Sequence, residues 1–130
     1  MNGNQLLQNK TIIVTGAATG IGQAFSVACA SYGAKIIVAD MNSGVETVEL
    51  IESKGGEAKF VEVDVANEDS ASFMAKSAFD WSGRVDGLIN NAAYFREVKL
   101  TPFEEIKIEV WDKIFDVNVK GIWQCSKAVI

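Results

Sequence analysis

The stretch Thr15–Gly22 reads Thr-Gly-Ala-Ala-Thr-Gly-Ile-Gly and directly follows the apolar run Ile12-Ile13-Val14. Glycines at this spacing, between a buried strand and a helix, let a backbone lie against a pyrophosphate. Gly16 permits a sharp turn, because a side chain resists a positive φ. Gly20 leaves room for a phosphate, and Gly22 lets the following helix approach the strand. That helix would aim free N–H groups and the positive end of its dipole at the anion. Gly16, Thr19, Gly20, Ile21 and Gly22 are therefore candidate contacts for a dinucleotide. Their chemistry is binding and orientation, not bond making.

A glycine turn by itself is weak evidence. Asp40 sharpens it, because it ends the second apolar strand about 20 residues after the glycines. A carboxylate there can accept hydrogen bonds from adenosine ribose hydroxyls and would repel a 2′-phosphate. Neither Ala17-Ala18-Thr19 nor Met41-Asn42 offers a basic side chain to such a phosphate. Alone, Asp40 reads as a solvated strand end; together with the glycines it indicates NAD. Asp64-Val65 closes the third strand, where an acid can take an amide donor from adenine and Val65 offers an apolar edge. A plain helix-entry aspartate is the competing reading. In Asn90-Asn91-Ala92-Ala93, after the fourth strand, Asn91 and Ala92 leave space for a flat cofactor to cross the sheet edge; a turn-forming Asn pair is the alternative. Asn118 sits mid-helix in Phe115-Asp116-Val117-Asn118-Val119, and asparagine is a mediocre helix former. A functional kink or polar contact competes there with an ordinary surface residue.

The elements that must position these residues alternate. Thr11–Thr15 reads as a buried parallel strand and Gly20–Tyr32 as a helix stopped by Gly33. Lys35–Asp40 is a second strand. Ser43 with Glu46 reads as a capping box opening a helix that runs to about Lys54. Ala58–Asp64 is the third strand, and Asn67 caps a helix with its body at Ser70–Trp81. Val85–Asn90 is the fourth strand. A polar loop leads to a helical turn near Phe103–Ile106, and Glu109–Ile130 reads as one long helix. This alternation predicts an α/β fold, a Rossmann-type doubly wound parallel sheet of four strands in the order 3-2-1-4. Such a sheet is incomplete.

The chain has 130 residues, 48% of them apolar, and a formal charge of −5. This length suits one domain, and the acidic balance argues against nucleic acid as a partner. No run approaches the roughly 18 apolar residues of a membrane span. Residues 1–10 are polar and lack the apolar core of a leader. A cytoplasmic protein is expected. There is no histidine, which removes Ser-His-Asp and Cys-His catalysis and any histidine metal site from this chain. No metal is expected. Cys29 and Cys125 read as buried free thiols.

Taken in order, the Thr15–Gly22 turn, Asp40, Asp64-Val65, Asn90-Asn91-Ala92-Ala93 and Asn118 resemble the short-chain dehydrogenase/reductase family. The segment Trp111–Gly121 is similar to that family's long helix. Ala93 departs from the pattern, since the family usually has glycine there. The resemblance implies an NAD-dependent oxidoreductase that moves a hydride between the cofactor and an alcohol or ketone, working as a homo-oligomer. It implies a catalytic part for Asn118, holding a water in a proton relay. The family also uses a Ser and a Tyr and Lys four residues apart, on elements after a fifth strand. These are not in the chain: Tyr32 is followed four later by Ile36, and Tyr94 by Val98. The expectation is thus the amino-terminal half of an enzyme, inactive alone. A non-catalytic dinucleotide-binding module, or a half-fold needing a partner, stands beside it.

Overall fold

The computed structural model describes residues 5–130. The expectation of a leaderless start concerns residues 1–10, of which the first four lie outside the described residues. Four parallel strands, β1 (Thr11–Thr15), β2 (Lys35–Asp40), β3 (Glu57–Glu62) and β4 (Gly87–Ile89), form one sheet in the order β3-β2-β1-β4. This is the predicted 3-2-1-4 arrangement. Five α-helices connect or follow them: α1 (Gly20–Ser31), α2 (Val45–Glu52), α3 (Glu68–Ser82), α4 (Ile108–Phe115) and α5 (Gly121–Ala128).

β1 is central, so both of its faces are covered and all five of its residues are buried. Period-two alternation divides them between two cores. Ile12 and Val14 join Ile36, Val38, Ala30 and Ile51 on the side of α1 and α2. Ile13 joins Ile37, Val61, Met74 and Cys125 on the side of α3 and α5. Each fully buried Ile or Val contributes about 1.5–3 kcal/mol through removal from water. β3 lies at the sheet edge and buries one residue on each face, Ala58 on the side of α1 and α2 and Val61 on the side of α3 and α5, while Glu57, Lys59 and Glu62 are exposed.

Several boundaries differ from expectation. β3 stops two residues before Asp64, and β4 keeps only the residues that register with Ile12–Val14. Gly44, not Ser43, caps α2; Ser43 Oγ reaches only the Val45 N–H at 3.4 Å. A side chain on Gly44 would meet Val38 Cγ1 at 2.6 Å, so packing against the sheet decides where this helix begins. Asn67 does cap α3, accepting the Ser70 N–H at 2.8 Å. The long final helix is broken: Asp116–Lys120 forms a π-helical turn between α4 and α5. Cys29 is partly exposed and only Cys125 is buried; burial pushes the Cys125 thiol up to about 11, so it stays protonated. Among the described residues no helix is long and apolar enough to cross a membrane.

The start of the sheet is tied by one carboxylate. Asp86 Oδ2 accepts the Thr11 N–H at 2.8 Å, and Arg84 donates Nε and Nη2 to its two oxygens at 2.8 and 2.6 Å. The arginine fork, and then the Thr11 N–H, hold this carboxyl at about 2. In the unfolded chain it would titrate near ~3.9. Its contribution is therefore complete above that value and is lost as pH falls towards the folded value. Thermal melts should show part of the acid destabilisation below about pH 4 arising from this group. Asp86→Asn should lower Tm at neutral pH and flatten that acid limb; an unchanged limb would remove Asp86 as its source.

Candidate functional site

The carboxyl ends of β1, β2 and β4 converge on the glycine turn. Gly16 and Gly20 take φ of +65° and +61°, as the turn requires. A Cβ on Gly16 would meet Ala92 Cα at 2.8 Å, and one on Gly22 would lie 2.1 Å from the Gly16 carbonyl oxygen. Gly22 thus lets α1 approach the turn itself, more closely than packing on the strand demands. Gly20 is different. A Cβ there would have only Arg96 Nη2 within 4 Å, at 3.6 Å, so the space above it is open. Thr19 is the N-cap of α1, yet its side chain caps no N–H, and Thr19 and Ile21 are exposed. The first turn of α1 therefore presents uncapped donors beside an open space, an arrangement suited to an anion.

Asp40 closes the turn from the side of β2. Its Oδ2 accepts the Ala18 N–H at 2.9 Å and its Oδ1 the Asn42 N–H at 2.9 Å. Each oxygen keeps a further lone pair for another donor. The Ala18 peptide is fixed on its other side by residues that the sequence does not advertise. Thr47, fully buried on α2, has its Oγ1 2.9 Å from the Ala17 carbonyl oxygen and 3.2 Å from that of Ala18. Gln23 Nε2 donates to Thr47 Oγ1 at 3.0 Å and to the Ala18 oxygen at 3.3 Å. A threonine inside a helix reads as neutral in sequence; only its contact 29 residues back reveals the role.

The β4 end is held in the same way. Asn91 spends both amide protons on the carbonyls of Thr15 and Gly16, each at 3.1 Å. Thr15 Oγ1 accepts the N–H groups of Asn91 and Ala92, both at 3.1 Å. The Asn91 side chain is thus turned into the fold, and the small Ala92 stands at the edge. Asn118 lies in the π turn, and its amide pairs with one residue: Oδ1 accepts the Tyr94 N–H at 2.7 Å and Nδ2 donates to the Tyr94 oxygen at 3.1 Å. Asn118 thus makes a polar contact from within a π turn. Asp64 Oδ1 accepts the Ala66 N–H at 3.0 Å. Beside it a groove lined by Met41, Glu62, Val63, Ser70 and Phe73 runs along the ends of β2 and β3. Val65 is buried, with its side chain against Gly121, so it presents little apolar edge. A cleft lined by Phe79, Arg84, Asp86 and Val129, beside the amino end of β4, contains none of these residues.

The short chain dehydrogenase profile matches residues 10–130. The chain belongs to that family. Among its relatives, the uncharacterized oxidoreductase YxbG of Bacillus subtilis (strain 168) is 39% identical over 126 residues, an alignment covering 95% of this chain and 45% of YxbG. Cyclopentanol dehydrogenase of Comamonas sp. is 34% identical over 126 residues, covering 95% of this chain and 49% of that enzyme. The crystal structure of a short-chain type dehydrogenase/reductase from Mycobacterium marinum superposes with a TM-score of 0.89 at 29% identity, over 95% of this chain and 49% of that one. The chain spans about half the length of the curated relatives it matches. In family terms it is an oxidoreductase fold whose sheet edge carries the glycine turn, Asp40 and Asn91 together.

Thr47→Val preserves shape while removing the hydroxyl, leaving the Ala17 carbonyl and the Gln23 amide short of a partner. Urea unfolding should show a loss of about 1–3 kcal/mol. Thr47→Ser, which keeps the hydroxyl, should lose only about 0.8 kcal/mol for the missing methyl. Equal losses would reduce Thr47 to packing.

Proposed function

We propose that this chain is the NAD-binding part of an oxidoreductase that transfers a hydride between NAD(H) and an alcohol or carbonyl substrate. The observation that carries the cofactor choice is Asp40. Its carboxylate is anchored on the Ala18 N–H, at the end of β2, with free lone pairs facing outward and no basic residue among Ala17-Ala18-Thr19 or Met41-Asn42. In this reading the adenosine ribose hydroxyls donate to Asp40, and the adenine lies in the groove beside Asp64 and Val65. The pyrophosphate meets Gly16, Thr19, Gly20, Ile21 and Gly22 at the start of α1. Ala92 and the backbone around Asn91 border the nicotinamide end. These residues fit the dinucleotide because the space over Gly20 is open while Gly16 and Gly22 are crowded.

When bound, the nicotinamide supplies hydride chemistry. This chain's residues bind and orient; Asn118, whose amide is paired with the Tyr94 backbone, would help position a water in the proton relay. The family's Ser and Tyr-x-x-x-Lys are not among these residues, so proton transfer to substrate requires the remainder of a longer protein, and this chain alone should turn nothing over. We place that protein in the cytoplasm and infer a homo-oligomer. A second reading, a half-fold needing cover, is favoured by one observation: β4 has a single neighbour and α4–α5 expose Ile108, Trp111, Phe115, Ile122 and Trp123.

Asp40→Ala should weaken NAD binding about tenfold, the scale of a lost charged hydrogen bond, and weaken the 2′-phosphorylated cofactor less, because only the loss of the Ala18 contact falls on both. Calorimetric titration of the full-length natural protein checks this. Equal losses for both cofactors would count against the ribose role, and hydride transfer by the isolated 130-residue chain would overturn the half-enzyme reading.

A further inference from the structure

The glycine turn contributes no cation. Ala17, Ala18 and Thr19 are neutral, and no Lys or Arg occurs in α1. A pyrophosphate bridge is dianionic, and backbone N–H groups with the helix dipole offer only partial charge to it. The nearest full positive charge comes from elsewhere in the chain. Arg96 reaches across from the loop after β4, and outside α1 and the residues flanking Gly20 its Nη2 is the one heavy atom within 4 Å of a Cβ placed on Gly20, at 3.6 Å. A group placed where that Cβ would be lies in van der Waals contact with this guanidinium.

The loop holds Arg96 there from both sides. Tyr94, two residues earlier, is pinned by the paired hydrogen bonds from Asn118. The Val98 N–H donates to the Phe95 carbonyl at 3.0 Å and closes a tight turn with Arg96 inside it. Six of the twelve Lys and Arg side chains have a carboxylate partner within ion-pair distance; among the described residues Arg96 is one of the six that have none. This guanidinium stands beside Gly20 of the glycine turn.

We propose that Arg96 is a binding residue for the cofactor pyrophosphate, completing from the β4 loop a cradle whose glycine turn is electrically incomplete. The proposal rests on the dinucleotide reading above. Planar and permanently charged, Arg96 can donate two parallel hydrogen bonds to phosphate oxygens, which a lysine cannot.

The test compares ADP-ribose, which carries the pyrophosphate without the nicotinamide, with adenosine, which lacks it, by calorimetric titration of the full-length natural protein at low and high salt. Arg96→Gln should weaken ADP-ribose roughly tenfold and leave adenosine within about twofold. The wild-type affinity for ADP-ribose should fall more steeply with salt than that of the variant. Arg96→Lys should recover part of the loss, as a point charge without the fork. ADP-ribose affinity unchanged in Arg96→Gln, or equal weakening of both ligands, overturns the proposal while leaving the cofactor reading in place. Absence of ADP-ribose binding in the unsubstituted protein would overturn the cofactor reading itself, and with it the role of Arg96.

Discussion

Three backbones meet at Gly16, and their crowding governs the site. The end of β1, the first turn of α1 and the end of β4 approach so closely that a Cβ on Gly22 would lie 2.1 Å from the Gly16 oxygen and 2.5 Å from Asn91 Nδ2. Such contact is possible only without side chains. It brings the Gly16 and Thr15 carbonyls within reach of the Asn91 amide, which satisfies two acceptors that would otherwise be buried against the sheet end. The same closeness leaves the N–H groups at the start of α1 facing outward over Gly20.

Around this point each neighbouring element supplies one side chain that fixes a peptide of the turn. β2 gives Asp40 to the Ala18 N–H, α2 gives Thr47 to the Ala17 and Ala18 carbonyls, and α1 gives Gln23 to Thr47. A cradle held from three sides before any ligand arrives needs little reorganisation on binding, which saves the ordering entropy that weakens flexible sites. Asp40 has two tasks in this arrangement. It holds the turn through Ala18, and its remaining lone pairs are those that the proposed ribose contact would use.

The sequence made the frame legible because β1 and β2 are short β-branched runs, and because Gly33, the expected stop of α1, takes a positive φ. Asp40, Asn91 and Asn118 were readable as polar residues at strand ends or in a poor helical context. Less legible were features decided by tertiary contact. The start of α2 follows from Gly44 packing on Val38, not from the local Ser43–Glu46 pattern. The π turn holds Asn118, whose amide pairs with the backbone of Tyr94, 24 residues away. Val65 sits at a strand end in sequence but is buried under Gly121. Thr47 and Arg96 carry no local signal at all, since both act on a turn far from them along the chain.

The most direct measurement is a crystal structure of the full-length natural protein with NAD bound. The account predicts adenosine ribose hydroxyls on Asp40, pyrophosphate over Gly20, and a Thr15–Gly22 backbone in the conformation described above, with Ala18 still donating to Asp40. A dinucleotide bound away from this edge, or a turn rebuilt around it with Asp40 swung clear of Ala18, would contradict the account.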